Sequence, residues 1–183
     1  MKEHPTTRGY FAIGVDRLSK PMNAGNLIRS AHAFGASYFF TIGGAFKASE
    51  IRSDTSKAAT HLPIYTWDTA SEMQLPQGCR LVGIELLDEA VDLPSFAHPP
   101  RAAYVLGPER GALSPELVER CDFVVKIPTA FCINVAMAGA IVMYDRIRTI
   151  GRFAPRPLRA GGPSEDIEPH RHGGRLTRRL ADD

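Results

Sequence analysis

Short apolar runs alternate with helical patterns along most of the chain. Residues 10–15, 38–42, 64–67, 80–87, 102–106 and 123–127 read as strands, rich in Val, Ile, Phe and Tyr. Between them, 24–34 carries Leu27, Ile28, Ala31 and Phe34 at helical spacing, a short helix opens at Pro115, and a long one runs from about Asn134 to Ile150. Strands alternating with helices predict α/β with a largely parallel sheet. Ala102-Ala103-Tyr104-Val105-Leu106 shows no polar alternation, as expected of a strand covered on both faces.

The helix ends carry their own signals. Ser114 is placed to cap, with Pro115 at the first helical position and Glu116 at the positive dipole end. The last helix is unusual, because residues 135–144 are apolar around the whole circumference. Gly139 in its middle allows close approach of another backbone. Two readings explain such a helix: cover by the domain on one side and a second subunit on the other, or a central place in one monomer.

Composition narrows the class. At 183 residues the chain suits one domain, and 44% hydrophobic with 23% charged residues excludes disorder of the whole. The longest apolar run holds ten residues, short of the ~20 that a membrane helix needs. No apolar block precedes Tyr10, so no secretory signal is expected. Cys79, Cys121 and Cys132 form no CxxC pair, which excludes a disulfide scaffold or zinc ribbon and points to the cytoplasm. Residues 1–150 balance 15 Lys or Arg against 15 Asp or Glu, while 151–183 hold 7 Arg and 5 acids among many Gly and Pro. The body, 1–150, is therefore expected to be one neutral domain, and 151–183 a basic tail, either a solvated end or an RNA-contacting arm. His170 and His172 in that tail lack further ligands, so no metal is expected.

Three loops carry the candidate chemistry. The first is Asn23-Ala24-Gly25-Asn26-Leu27-Ile28-Arg29, where Asn23 or Asn26 is placed to satisfy free helix N–H groups and Arg29 stands beside a helix start that attracts phosphate. The second, from Leu106 to Ser114, follows a buried strand and sets Glu109 between Gly107 and Gly111, a ligand position in an open α/β sheet. It is neither a GxGxxG fingerprint nor a Walker loop. The third, from Ile127 to Asn134, joins a strand to the apolar helix, which Asn134 is placed to cap.

Taken in order, N-x-G-N-x-x-R, L-G-P-E-R-G-x-L-S and I-P-x-x-x-x-I-N-V-A closely resemble the three signature motifs of the SpoU/TrmH-like branch of SPOUT RNA methyltransferases. The resemblance covers residues 9–150. It implies a trefoil-knotted α/β domain, a homodimer packed through its first and last helices, S-adenosylmethionine as methyl donor and a ribose 2′-hydroxyl of RNA as acceptor. It further implies a catalytic set of Arg29, Asn23, Glu109 and Asn134, with Arg29 holding phosphate. Gly107, Ile127 and Ile133 match positions that cradle the cofactor, and Glu85 and Leu86 are expected to form another wall. Cys132 stands where the family usually has serine; a thiol is the weaker hydrogen-bond partner, which puts a serine-dependent proton relay in doubt.

Motif 1 begins at Asn23 without a preceding RNA-recognition domain, so tRNA is expected in preference to rRNA. Two rivals stay open at this point: a non-catalytic dimeric RNA-binding relative, and methylation of a base nitrogen.

Overall fold

Every strand pairs in parallel. The computed structural model describes residues 9–44, 61–151, 153–154 and 156–162. In chain order they form β1 (Tyr10–Asp16), α1 (Pro21–Ala33), β2 (Tyr38–Ile42), β3 (Ile64–Trp67), β4 (Arg80–Ile84), β5 (Val91–Asp92), a 3-10 turn (Leu93–Ser95), β6 (Arg101–Leu106), α2 (Pro115–Arg120), β7 (Phe123–Lys126) and α3 (Val135–Ile150). The strands lie in the order β3-β2-β1-β6-β4-β7-β5. The chain divides into two compact units, Met1–Gly151 and Arg152–Asp183. In the second, 153–154 and 156–162 are bends and coil; His170 and His172 lie outside the described residues.

The parallel α/β architecture agrees with the pattern of apolar runs, and both faces of the sheet are covered. On one face Phe11, Ile13, Val15, Phe39, Val82 and Tyr104 pack under α1 and α3. On the other, Ala12, Phe40, Leu81, Ala103 and Val105 pack against Leu113, Leu117, Ala70 and Met73. Residues 102–106 of β6 thus alternate between two buried layers, the reason that stretch shows no polar alternation. Each large side chain so buried contributes roughly 1.5–3 kcal/mol.

Four local expectations are corrected. Helix α1 begins at Pro21, not Ala24, because proline's fixed φ suits the first helical position. The strand expected over 80–87 stops at Ile84, after which Glu85 N–H bonds the Val125 carbonyl. Ser114 occupies the cap position of α2 but makes no side-chain cap; its backbone carbonyl takes the N–H groups of Leu117 and Val118 instead.

The fourth concerns α3, where the small residue at Gly139 serves the chain's own packing. A Cβ there would lie 2.3 Å from Leu27 Cδ1 of α1 and 3.2 Å from Ile13 Cδ1 of β1. The apolar circumference splits accordingly. Val135, Ala138, Val142 and Met143 are buried, whereas Met137, Ile141 and Tyr144 are exposed, as is Met22 on α1.

One topological feature positions the site. From β1 the chain proceeds through α1 to β2 on one side, and from neighbouring β6 it proceeds through α2 to β7 on the other. The loops leaving β1 and β6 therefore diverge, opening a crevice at the carboxyl ends of the strands.

Candidate active site

Glu109 bridges that crevice. Its Oε2 accepts from the backbone N–H and hydroxyl of Ser19, both at 3.1 Å. Its Oε1 accepts from Lys20 N–H at 3.1 Å and Asn23 Nδ2 at 2.9 Å. Partial burial pushes this carboxyl up, but the bonds from Asn23 and Ser19 outweigh it, so Glu109 titrates below its ordinary value of 4.5.

Asn23 is buried in the first turn of α1. It does not serve that helix's free N–H groups, as its place in the sequence implied, and neither does exposed Asn26; α1 has no side-chain cap. The Asn23 nitrogen goes to Glu109 and its oxygen accepts from Asn134 Nδ2 at 3.1 Å. Asn134 does cap α3, its Oδ1 accepting from Ala136 N–H at 2.9 Å and Met137 N–H at 3.4 Å. The three loops thus form one directed chain of hydrogen bonds, and each amide has its orientation set by its neighbours.

A second brace lies beside the first. Buried Asp16, ending β1, accepts from Ser114 N–H at 2.9 Å. Arg17 adopts φ 48°, a left-handed conformation unusual outside glycine, and donates to the Ala112 carbonyl at 2.7 Å. Asp16, Arg17, Ser19 and Lys20 were not among the residues singled out from sequence. The Lys20-Pro21 pair was the available signal, since it places Ser19 and Lys20 N–H groups at the helix start.

Between the braced loops lies a cavity of about 410 Å³. Asn23, Glu85, Leu86, Gly107, Glu109, Ile127, Cys132, Ile133 and Asn134 all line it. Ile84, Leu106, Val135 and Ala138 extend its apolar wall. Gly107 has a steric reason: a Cβ there would stand 3.1 Å from Glu85 Oε2 and 3.3 Å from Leu113 N. The Glu85 carboxylate faces inward yet is occupied, accepting from Leu86 N–H at 2.9 Å and Leu113 N–H at 2.8 Å. A cavity that combines apolar walls with fixed polar groups suits a small organic ligand. Among the described residues no three His, Cys, Asp or Glu side chains cluster as a metal site needs.

Arg29 is the one candidate outside this lining. Because Pro21 opens α1, Arg29 is not at the helix start; it lies about 12 Å along the axis from the first residue. It is exposed, on the same stripe as Met22 and Asn26.

Comparison with known proteins points to one family. The model of a family described as the SpoU rRNA Methylase family matches residues 10–144. The chain is similar to the 23S rRNA (uridine(2479)-2'-O)-methyltransferase of Streptomyces viridochromogenes, 26% identical over 84% of this chain and 58% of that protein. It is also similar to the AdoMet-bound rRNA methyltransferase structure from Sinorhizobium meliloti, 26% identical at TM-score 0.68, covering 80% of this chain and 58% of that one. A structure solved for insight into 2-OH methylation of C/U34 on tRNA is 25% identical at TM-score 0.66, covering 79% and 92%. The chain thus spans less than two thirds of the length of the first two.

Proposed function

The chain belongs to the SpoU rRNA Methylase family, and on that premise we propose that it transfers a methyl group from S-adenosylmethionine to a ribose 2′-hydroxyl of RNA. The observation that carries this reading is the bonded chain Glu109–Asn23–Asn134 walling the cavity at the divergence of β1 and β6. The cavity fits the cofactor in its chemistry. Ile84, Leu86, Ile127 and Ile133 offer apolar walls for an adenine, and Gly107 keeps backbone where a side chain would intrude.

When bound, S-adenosylmethionine supplies an electrophilic methyl on a sulfonium, whose transfer leaves a neutral thioether. Asn23, Glu109 and Asn134 hold the pocket in one geometry, and such alignment is worth up to ~7–11 kcal/mol of barrier. Arginine is a poor general base. Arg29 is therefore assigned to the phosphodiester beside the reacting ribose, fixing the hydroxyl for in-line attack while its proton leaves to water. Half-buried Ile127 and Ile133 form the apolar side of the cavity, and the proton departs through its open mouth.

Further proposals rest on this one. The domain over 1–150 is a trefoil-knotted methyltransferase unit working in the cytoplasm. It forms a homodimer through α1 and α3, supported by the exposed Met22, Met137, Ile141 and Tyr144. The 151–183 segment, which holds the whole positive excess, serves as an RNA-binding arm. Transfer RNA is the favoured substrate, on the likeness that covers 92% of the tRNA-methylation structure. Ribosomal RNA is the second reading, favoured by the Streptomyces relative.

The test is incubation with radiolabelled S-adenosylmethionine and total tRNA or rRNA, then nuclease digestion and mass analysis. Label in a 2′-O-methylnucleoside is expected; label on a base, or none with either RNA, overturns the reading. Arg29→Ala should lower transfer at least about a hundredfold while cofactor binding holds.

A further inference from the structure

Three charged side chains line the cavity: Lys20, Glu85 and Glu109. Both carboxylates are engaged from within by neutral donors, Glu85 by Leu86 and Leu113 N–H, Glu109 by Ser19, Lys20 and Asn23. Those donors satisfy hydrogen-bonding capacity but bring no formal positive charge. An anionic group entering the cavity therefore meets two fixed negative charges, and among the described residues Lys20 is the one cation in the lining to offset them. The Lys20 backbone is pinned, its N–H to Glu109 and its carbonyl to Asn23 and Ala24 N–H. Its side chain is exposed and has no hydrogen-bond or ion-pair partner among the described residues. The neighbouring Arg17 is already held by Asp16 and the Ala112 carbonyl.

We infer that Lys20 is the anion-recognising residue of this cavity, its ammonium receiving an oxygen anion of the reactants. The inference rests on the methyl-transfer reading above, and two sources share that chemistry: the carboxylate of S-adenosylmethionine and the phosphodiester beside the target ribose. A pinned backbone with an exposed ammonium favours a group at the mouth of the cavity rather than at its apolar floor. Lys20 is thereby a specificity residue for whichever anion sits there, separate from the Asn23–Glu109–Asn134 chain that shapes the pocket.

The experiment compares wild type, Lys20→Gln and Lys20→Arg by calorimetric titration with S-adenosylmethionine and with its decarboxylated form, and by tRNA binding across a salt series. If the carboxylate is the partner, Lys20→Gln weakens S-adenosylmethionine about five- to tenfold and leaves the decarboxylated form unchanged. If the phosphodiester is the partner, Lys20→Gln weakens tRNA binding and reduces the slope of log affinity against log salt by about 0.7, with cofactor affinity unchanged. In either case Lys20→Arg recovers most of the loss. Lys20→Gln matching wild type in all titrations overturns the inference alone, as does an equal loss for both cofactor forms or an equal loss in Lys20→Arg. A wild-type chain that binds neither cofactor nor tRNA overturns the inference together with the reading beneath it.

Discussion

The side-chain nitrogen of Asn134 donates to the side-chain oxygen of Asn23 across 3.1 Å, joining residues 111 positions apart. Each amide uses both of its ends. The Asn134 oxygen caps α3, and the Asn23 nitrogen reaches Glu109. A carboxylate at either position would keep the acceptors and lose the donor.

Asn134→Asp should therefore retain the α3 cap, and with it thermal stability close to wild type, yet lose methyl transfer because its oxygen opposes that of Asn23. Asn134→Ala should lose transfer and about 1 kcal/mol of stability as well. Thermal unfolding and initial rates measured together separate the two effects; wild-type turnover in Asn134→Asp would remove the bonded chain from the mechanism.

Glu109 makes stability depend on acid pH. Its folded titration lies below the ordinary 4.5, so its contribution is present above that value and is lost as pH falls through the lowered one. Glu109→Gln sets an amide nitrogen against either the two donors of Ser19 or those of Lys20 and Asn23, and should cost about 1–3 kcal/mol near neutrality. The gap between the two proteins in urea unfolding should narrow as pH drops below 4.5. A gap that stays constant from neutral to acid pH contradicts the assignment.

Substitutions on opposite sides of α3 should have different consequences. Gly139→Leu forces a side chain against buried Leu27 and Ile13 and should destabilise the fold by about 1–3 kcal/mol or more, although leucine is the better helix former. Ile141→Glu alters the exposed face and should dissociate the proposed dimer with little change in monomer packing. Light scattering and chemical denaturation distinguish them; an Ile141→Glu protein that remains dimeric refutes the proposed interface.

Arg146 is a buried cation with no carboxylate partner among the described residues. It donates to the carbonyls of Tyr10, Pro99 and Pro100 and to the Tyr104 hydroxyl, and lies over the Phe11 ring at 5.3 Å. With Arg146 donating, the Tyr104 hydroxyl turns its own proton to His98 Nδ1 at 2.6 Å, leaving His98 Nε2–H for Asp145. Arg146→Met should cost at least about 3 kcal/mol, since several buried acceptors lose their donor. Arg146→Lys should recover part of it. Urea unfolding of Arg146→Met within 1 kcal/mol of wild type, roughly one lost hydrogen bond, would show that water replaces the guanidinium.

The sequence by itself determined what depends on near neighbours. Apolar runs marked the strands because successive residues point to opposite faces and both faces are buried, and Asn134 announced the α3 cap because its partners, Ala136 and Met137, are two and three residues away. The motif residues were legible as types in order, and nearly all of them line one cavity. Only the tertiary structure decided partners. Asn23 looked like a helix cap until β1 and β6 lay side by side and brought Glu109 within reach from 86 positions away. Gly139 marked a close approach without saying whose, until α1 placed Leu27 of the same chain against it. Arg146 gave no signal, since three of its four acceptors are backbone carbonyls that any sequence carries. A hydrophobic pattern states which face of an element must be covered, but hydrogen bonds and close packing act over a few ångströms, so the groups they join are set by how the elements stack.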